Sequence, residues 1–298
     1  MRETHTGQLL VVGTPIGNLD DFSPRGRRAL AEAAVIFCED TRVTAKLASR
    51  FGISARRVSC PGPREESRIA ELLERLRAGD TVAIATDAGM PTLSDPGARL
   101  VAAAVTAGFP VRVVPGPSAP AAALAISGLP PVPHVFLGFL PARRGERSRF
   151  LESMRDRPET LIWFEAPHRL ADSLEDASRA LGARRACVAR ELTKLHEEAR
   201  HGTLGELARE FRARERVRGE ITVVAEGRTG AARERREPDA DELDELDELD
   251  ERIREALAAG SAVKSLSREI ARRTGRPTRE IYTRALRLRD GEPERKKP

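Results

Sequence analysis

No apolar run in this 298-residue chain approaches the roughly 20 residues that a membrane span requires. No membrane partner is therefore expected. The opening residues Met1-Arg2-Glu3-Thr4-His5-Thr6-Gly7 carry no apolar stretch of the kind a secretory signal has. Cysteine is scarce. Cys38, Cys60 and Cys187 are odd in number and far apart, which fits a reducing cytoplasmic setting and offers neither a disulfide framework nor a zinc pattern. Cys38 and Cys187 stand in strand-like runs and read as small buried hydrophobes. The five histidines lack metal-ligand spacing, so no metal is expected. The first strand is not followed by Gly-x-Gly-x-x-Gly. Gly13-Thr14-Pro15-Ile16-Gly17-Asn18 instead puts proline where a helix N-terminus would receive a phosphate. That argues against a nicotinamide enzyme and against the common dinucleotide-type methyltransferase scaffold. The absence of Gly-x-x-x-x-Gly-Lys-Ser/Thr argues against a P-loop nucleotidase.

What is present is alternation. The chain is 40% hydrophobic and 33% charged, and its length favours two domains with an appendage. Residues 9–12, 35–38, 82–85 and 111–114 read as strands buried on both faces. Between and after them, 23–34, 64–78, 96–107 and 118–127 have helical spacing. Strand and helix in turn predict an α/β domain with a largely parallel sheet. Leu129-Pro130-Pro131-Val132-Pro133 reads as an extended hinge, because proline removes donors and restricts the residue before it. A second set follows, with strands at 135–139, 160–164, 186–189 and 220–225 and helices at 146–154, 168–181 and 204–212. The expected division is 7–117 and 118–228 for two α/β domains, 229–258 for an acidic linker, and 259–290 for a small helical basic module.

Net charge is +5, but it is unevenly spread. Residues 237–255 hold eleven acidic and two basic groups, whereas 260–298 hold twelve basic and five acidic. A basic body and basic tail fit a polyanionic partner. Residues 242–251 repeat a Glu-Leu-Asp unit whose leucines drift around a helix, so the segment is expected to be a solvated linker, disordered or transiently helical. Leu266, Ile270 and Ala271 then make one helix face and Ile281, Ala285 and Leu288 a second, with Gly275-Arg276-Pro277 between them. Arg272, Arg273, Arg276, Arg279 and Arg284 surround this helix–turn–helix-like unit, which suits phosphate contact.

The most informative stretch is Thr86-Asp87-Ala88-Gly89-Met90-Pro91, followed by Leu93-Ser94-Asp95-Pro96-Gly97. An apolar strand breaks into a loop of Asp, Gly and Pro, then a helix starts. Such a loop brings backbone groups and carboxylates close to a small ligand, because glycine removes the Cβ that would block the approach. Similar edges recur in order. They are Val11-Val12-Gly13-Thr14-Pro15, Cys38-Glu39-Asp40-Thr41-Arg42, Val114-Pro115-Gly116-Pro117-Ser118-Ala119, Phe164-Glu165-Ala166-Pro167-His168-Arg169 and Arg190-Glu191-Leu192-Thr193-Lys194. Through these motifs the chain resembles the bacterial small-subunit ribosomal RNA methyltransferase I family of the tetrapyrrole-methylase superfamily. The resemblance runs over 7–227, with a weaker match over 261–288.

That resemblance implies two α/β domains of tetrapyrrole-methylase type with a cofactor cleft between them. It implies S-adenosylmethionine as cofactor and 2′-O-methylation of a cytidine ribose in 16S ribosomal RNA. It also implies a cytoplasmic homodimer whose partner is small-subunit RNA. Carried over by position, Asp87, Ala88, Gly89, Leu93, Ser94, Ser118, Ala119, Phe164, Glu165, Ala166, Leu192, Glu220 and Ile221 are expected to line the cofactor cleft. These positions follow strand ends, where α/β proteins place ligands. A ribose hydroxyl is a poor nucleophile, so an acceptor for its proton is expected. Glu165, Glu191 and Lys194 are the candidates. Glu39 and Asp40 are further carboxylates able to accept a proton or hold an arginine. Arg42, Arg143, Arg144, Arg147, Arg169, Arg190 and Lys194, with Arg272, Arg273 and Arg276 in the tail, are the candidates for RNA phosphates. The chain departs from the family pattern at Ser59-Cys60-Pro61-Gly62-Pro63-Arg64-Glu65-Glu66-Ser67, where a His and Asn are usual. It also has Phe164 where Tyr is common. Two other readings stay open. One is a tetrapyrrole or other small-molecule methylase on the same scaffold. The other is an RNA-binding assembly factor without catalysis.

Overall fold

The computed structural model describes residues 7–228, 240–274 and 278–289. The described residues fall into two compact units, one up to residue 228 and one from residue 240 onward. Within the first unit, five parallel strands make one sheet in the order β3-β2-β4-β1-β5. They are β1 (Gln8–Val12), β2 (Val35–Cys38), β3 (Arg56–Ser59), β4 (Thr81–Ala85) and β5 (Val111–Val114). The register is continuous: Val35 pairs Val82, Leu9 pairs both Val82 and Val111, and all these pairs are parallel. Helices cover both faces. On one, α1 (Pro24–Glu32) and α2 (Thr41–Arg50) pack Ala29, Leu30 and Ala48 onto Val12, Ile36 and Ala83. On the other, α3 (Glu65–Arg77) and α4 (Ala98–Thr106) pack Leu72, Leu76 and Leu100 onto Leu9, Phe37 and Ile84. Parallel strands covered on both faces need apolar side chains pointing both ways, which is why β2 is buried at all four positions. β5 departs from the expected double burial. It is an edge strand, and Val113 is 58% exposed.

The second sheet runs β6-β7-β10-β8-β9 and is mixed. β6 (His134–Phe139) pairs β7 (Thr160–Glu165) in parallel, while β10 (Ile221–Ala225) is antiparallel to both β7 and β8 (Arg185–Arg190). β9 (Glu198–Thr203) closes the far edge. One face is covered by α6 (Arg144–Ser153), α7 (Leu170–Leu181) and α8 (Leu204–Ala213) around Trp163. The other receives α5 (Ala119–Ile126), whose Ala123 and Leu124 pack with Ile162, Cys187 and Val224. The chain thus leaves the first sheet at Val114 and covers the second before entering it. β3 and β9 were not expected as strands. Both are edges rich in charged or small residues, so they lack apolar periodicity. All three cysteines are buried, and burial pushes the Cys60 and Cys187 thiols up to about 11.

The second unit holds α9 (Ala240–Ala258), α10 (Val263–Thr274) and α11 (Thr278–Arg289). Here the acidic repeat is helical, and its end packs where a fully solvated linker was expected. The repeat's last leucine, Leu249, falls in register with Ile253, Ala256 and Leu257. These pack with Leu266, Ile270, Ile281 and Ala285. The spacing i, i+4, i+7, i+8 gives one apolar stripe that the three-residue period alone does not. Asp250 also accepts from Arg284 at 2.9 Å, which ties the acidic helix to α11.

Candidate functional site

The ends of the two sheets enclose a cleft of about 370 Å³. Its walls are loops that follow strands. From the first half come Ile16 after β1, then Ala88, Gly89, Met90, Leu93 and Asp95 after β4, and Ser118 and Ala119 after β5. From the second come Phe139 at the end of β6, Phe164 and Glu165 at the end of β7 with Ala166 just past it, Leu192 after β8, and Ile221 at the start of β10 with Glu220 just before it.

Close backbone packing builds the first-half loops. A Cβ on Gly13 would lie 2.6 Å from the Gly116 nitrogen and from the Met90 sulfur, so the β1 and β5 loops meet only as glycine. Thr14 and Gly89 exchange backbone hydrogen bonds, Thr14 N–H to Gly89 O at 2.9 Å and Gly89 N–H to Thr14 O at 3.2 Å. Gly89 has φ +82°, a conformation that side chains with a Cβ rarely adopt. Among the described residues, four other than glycine share positive φ: Thr92, Ser94, Glu191 and Thr193. All four lie in the two loops that flank the cleft, after β4 and after β8, and such strain clusters at ligand sites.

Glu65 anchors the far end of the β4 loop. Glycine at position 97 gives α4 no side-chain cap. Glu65, 6% exposed, supplies one from the start of α3. Its Oε1 accepts from the N–H groups of Gly97 (3.0 Å), Arg99 (2.6 Å) and Leu100 (3.1 Å). This carboxylate stands in the segment that departs from the family pattern.

Electrostatically, the cleft and its surroundings are acidic. Burial pushes the Asp95 carboxyl up to about 7, reinforced by the charges of Glu39, Asp87 and Glu220. Burial also raises Glu39 and Asp87, and Asp40 adds to both. The Asp40 N–H, donated to Asp87 Oδ1 at 3.2 Å, partly offsets the rise at Asp87. Asp40 itself is held at about 2 by hydrogen bonds from the Arg42 side chain and backbone. An acidic cleft whose carboxyls resist ionisation suits a cationic ligand.

Of the thirteen residues expected to hold a cofactor, eleven line this cleft. Asp87 lines a neighbouring hollow instead, together with Leu19, Val43 and Lys46. Ser94 lines neither and lies against Gly138 of β6, where a Cβ would come within 3.0 Å of its Oγ.

Each of the three proton-acceptor candidates is engaged by neighbouring groups. Glu165 is 2% exposed, its Oε1 accepts from the Ala166 N–H at 2.8 Å, and Arg169 lies 3.3 Å away. Glu191 accepts from Lys194 at 2.8 Å and from the Glu220 N–H at 3.0 Å, and the Lys194 bond outweighs burial to lower its pKa. Burial depresses the Lys194 ammonium, but hydrogen bonds to Glu191 and Glu220 outweigh that and raise it. Lys194 therefore stays charged at neutral pH and takes no proton. Asp95, outside the candidate set, is a further carboxyl in the cleft wall. Its position in the loop was legible, but its shift depends on burial first and then on Glu39 and Glu220 from two other segments and Asp87 from its own.

The arginines divide similarly. Arg42, Arg143 and Arg144 follow strand ends and have side chains 87%, 85% and 67% exposed. Arg147 is 4% exposed and locked to Asp176 at 2.7 Å, so it is a core ion pair and meets no phosphate. Arg169 donates to the Leu140 and Pro141 carbonyls, and Arg190 pairs Glu198 at 2.9 Å. Both serve to fasten loops. On the helical module Arg272 is exposed, Arg273 is exposed and paired with Glu269, and Arg276 lies outside the described residues.

The family model of tetrapyrrole (corrin/porphyrin) methylases matches residues 8–208. A Mesorhizobium japonicum protein named ribosomal RNA small subunit methyltransferase I is 42% identical over 283 residues, covering 95% of this chain and 92% of that one. A protein of the same name from Halalkalibacterium halodurans is 39% identical, covering 93% of each chain. Among solved structures, uroporphyrin-III C-methyltransferase from Thermus thermophilus, complexed with S-adenosyl homocysteine, is similar with a TM-score of 0.51. The identity is 23%, over 73% of this chain and 97% of that one.

Proposed function

The chain belongs to the tetrapyrrole methylase family and, within it, to the ribosomal RNA small subunit methyltransferase I group, and on that premise we propose that it transfers a methyl group from S-adenosylmethionine to the ribose 2′-hydroxyl of a cytidine in small-subunit ribosomal RNA. One observation carries the cofactor half of this reading. The cleft combines apolar walls, close backbone approach at Gly89 and an Asp95 carboxyl raised by burial and by its acidic neighbours. Such a cleft matches a ligand with an aromatic ring and two positive centres, and its volume falls in the range of small-ligand sites.

When bound, S-adenosylmethionine supplies a methyl carbon activated by a sulfonium. The protein's residues do the rest. Ala88, Gly89, Ser118 and Ala119 hold the ligand from the first half. Leu93, Phe164, Ala166, Leu192 and Ile221 exclude water around it. Phe164 is itself fixed between Phe136 and Phe139, with ring centroids 5.0 and 5.4 Å away. Glu220 faces the positive charge. Asp95 accepts the proton that the acceptor hydroxyl loses, since a base works best when its pKa lies near the working pH. Glu165, Glu191 and Lys194 position these loops. Much of the acceleration comes from holding donor and acceptor in line.

Arg42, Arg143 and Arg144 contact phosphates near the cleft, and Arg272 and Arg273 do so from the helical module. That polyanionic role is supported by the net +7 of residues 260–298. The reading extends to a cytoplasmic homodimer, on group membership alone. Among the described residues no helix is long and apolar enough to cross a membrane. The test is transfer of tritiated methyl from the cofactor to unmodified small ribosomal subunits. Label in the RNA is expected. Label only in small molecules, or none, overturns the reading.

A further inference from the structure

Beside the cofactor cleft lies a second hollow of about 310 Å³. The two cavities share Ile16, Ala88 and Glu220, so whatever fills one borders what fills the other. Resting on the methyl-transfer reading, we infer that this hollow seats the acceptor nucleotide, with its base on Leu19, Val43 and Leu47 and its exocyclic amine donating to Asp87.

The walls have the right chemistry. Leu19 and Val43 are large apolar residues left 42% and 38% exposed, and they converge with Leu47 on one hollow. A single exposed apolar residue is ordinary, but a convergent set beside a cleft marks a surface that something covers. A flipped base presents two apolar faces to such walls and polar edges to its rim. Asp87 supplies the edge reader. It accepts the Asp40 N–H through Oδ1, and its carboxyl is raised by burial and by the charge of Asp40, so a further donor stabilises it. A carboxylate accepts from the N4 amine of cytosine and repels the O4 carbonyl that uracil carries in its place. Asp87 thus becomes a specificity residue for the acceptor rather than a cofactor ligand. Lys46, exposed on α2, brings an ammonium to the same hollow for a backbone phosphate.

The experiment uses the full chain and unmodified small subunits, some carrying uridine in place of the target cytidine. Three readouts are taken: Kd for S-adenosylmethionine by calorimetry, KM and kcat for the subunit, and the rate ratio of cytidine to uridine substrate. Val43→Trp fills the hollow and is expected to raise the subunit KM about tenfold with cofactor Kd unchanged. Leu19→Trp, at the opposite end in sequence, guards against misfolding of the first variant and should do the same. Asp87→Asn, which turns an acceptor into a group that also donates, should cut the cytidine preference about tenfold. Unchanged KM in both tryptophan variants with an unchanged base preference in Asp87→Asn overturns the inference while leaving the methyltransferase reading intact. A lost cofactor Kd in the tryptophan variants overturns it too, by giving the hollow to the cofactor. Wild-type protein that labels no subunit overturns both.

Discussion

Replacing Glu65 tests whether one buried carboxylate, remote from the ligand walls, holds the cleft in shape. Glu65 caps α4 from outside that helix with three hydrogen bonds to a single oxygen. The residues before α4 form the β4 loop, which carries Ala88, Gly89, Leu93 and Asp95. Glu65→Ala strands three N–H groups, two of them in the buried residues Gly97 and Leu100. An unsatisfied buried donor costs about 1–3 kcal/mol, and some water entry lowers the sum, so the loss should be about 3–5 kcal/mol. Glu65→Gln keeps an acceptor of the same shape and loses only the charge facing the helix N-terminus, about 1 kcal/mol. At about 2–4 °C per kcal/mol for a body of this size, thermal unfolding should fall by about 10 °C for alanine and about 3 °C for glutamine. Calorimetric titration should show weaker S-adenosylmethionine binding in the alanine variant, with near-complete recovery in the glutamine variant. An alanine variant that melts with the wild type, or a glutamine variant as damaged as the alanine, would refute the capping argument.

Other substitutions probe separate parts of the account. Asp95 is raised to about 7 in the folded state, so it is half protonated near neutrality, and a cationic ligand must drive the proton off. Cofactor affinity should rise as pH climbs from 6 to 8. Asp95→Asn should flatten that dependence, abolish most transfer and raise the melting temperature at pH 8, where the wild-type carboxylate is ionised against its neighbours. Calorimetry at three pH values checks the first point and a melting curve the last. Gly89→Val places a branched side chain at φ +82° with its Cβ 3.3 Å from Ile16. It should abolish cofactor binding with circular dichroism near wild type, and unchanged affinity in a folded variant would refute the placement. Arg147→Met leaves the Asp176 carboxylate buried, with only the exposed Arg144 and Arg179 beside it, and should cost about 3–5 kcal/mol in urea unfolding. Reversing Arg272 and Arg273 to Glu should weaken subunit binding and flatten its salt slope by about 1 to 2, as the loss of two phosphate contacts requires. An unchanged slope would assign the helical module another role.

The parts of the fold that burial dictates were legible. β2 and β5 were read at their observed bounds, 35–38 and 111–114, because runs of β-branched and other apolar residues end abruptly at Glu39 and Pro115, although β5 lies half-exposed at an edge. β3 and β9 were not, since Arg56-Arg57-Val58-Ser59 and Glu198-Ala199-Arg200-His201-Gly202-Thr203 face solvent on one side and carry ion pairs such as Arg190–Glu198. Helix α2 was hidden under the motif Cys38-Glu39-Asp40-Thr41-Arg42. Its signal was the Asp40 cap, whose Oδ1 accepts from the Arg42 N–H at 2.8 Å. The walls of the cleft were readable because they sit at strand ends. Roles within it were not, because Asp95, Glu65 and Lys194 draw part or all of theirs from residues tens of positions away in sequence, Glu39, Gly97 to Leu100 and Glu220. The acidic repeat shows the same limit from the other side. Its triplet period conceals Leu249, which acquires a core only through Ile253 and the helices that follow.

The central claim is a methyl group on a ribose oxygen. Unmodified small subunits, incubated with this chain and S-adenosylmethionine, can be stripped of protein and digested to nucleosides for mass spectrometry. One new product is expected, cytidine methylated on its 2′-oxygen, absent without the chain and strongly reduced with Asp95→Asn. Methylation of a base carbon or nitrogen, or of no nucleoside at all under conditions where the cofactor binds, would contradict it.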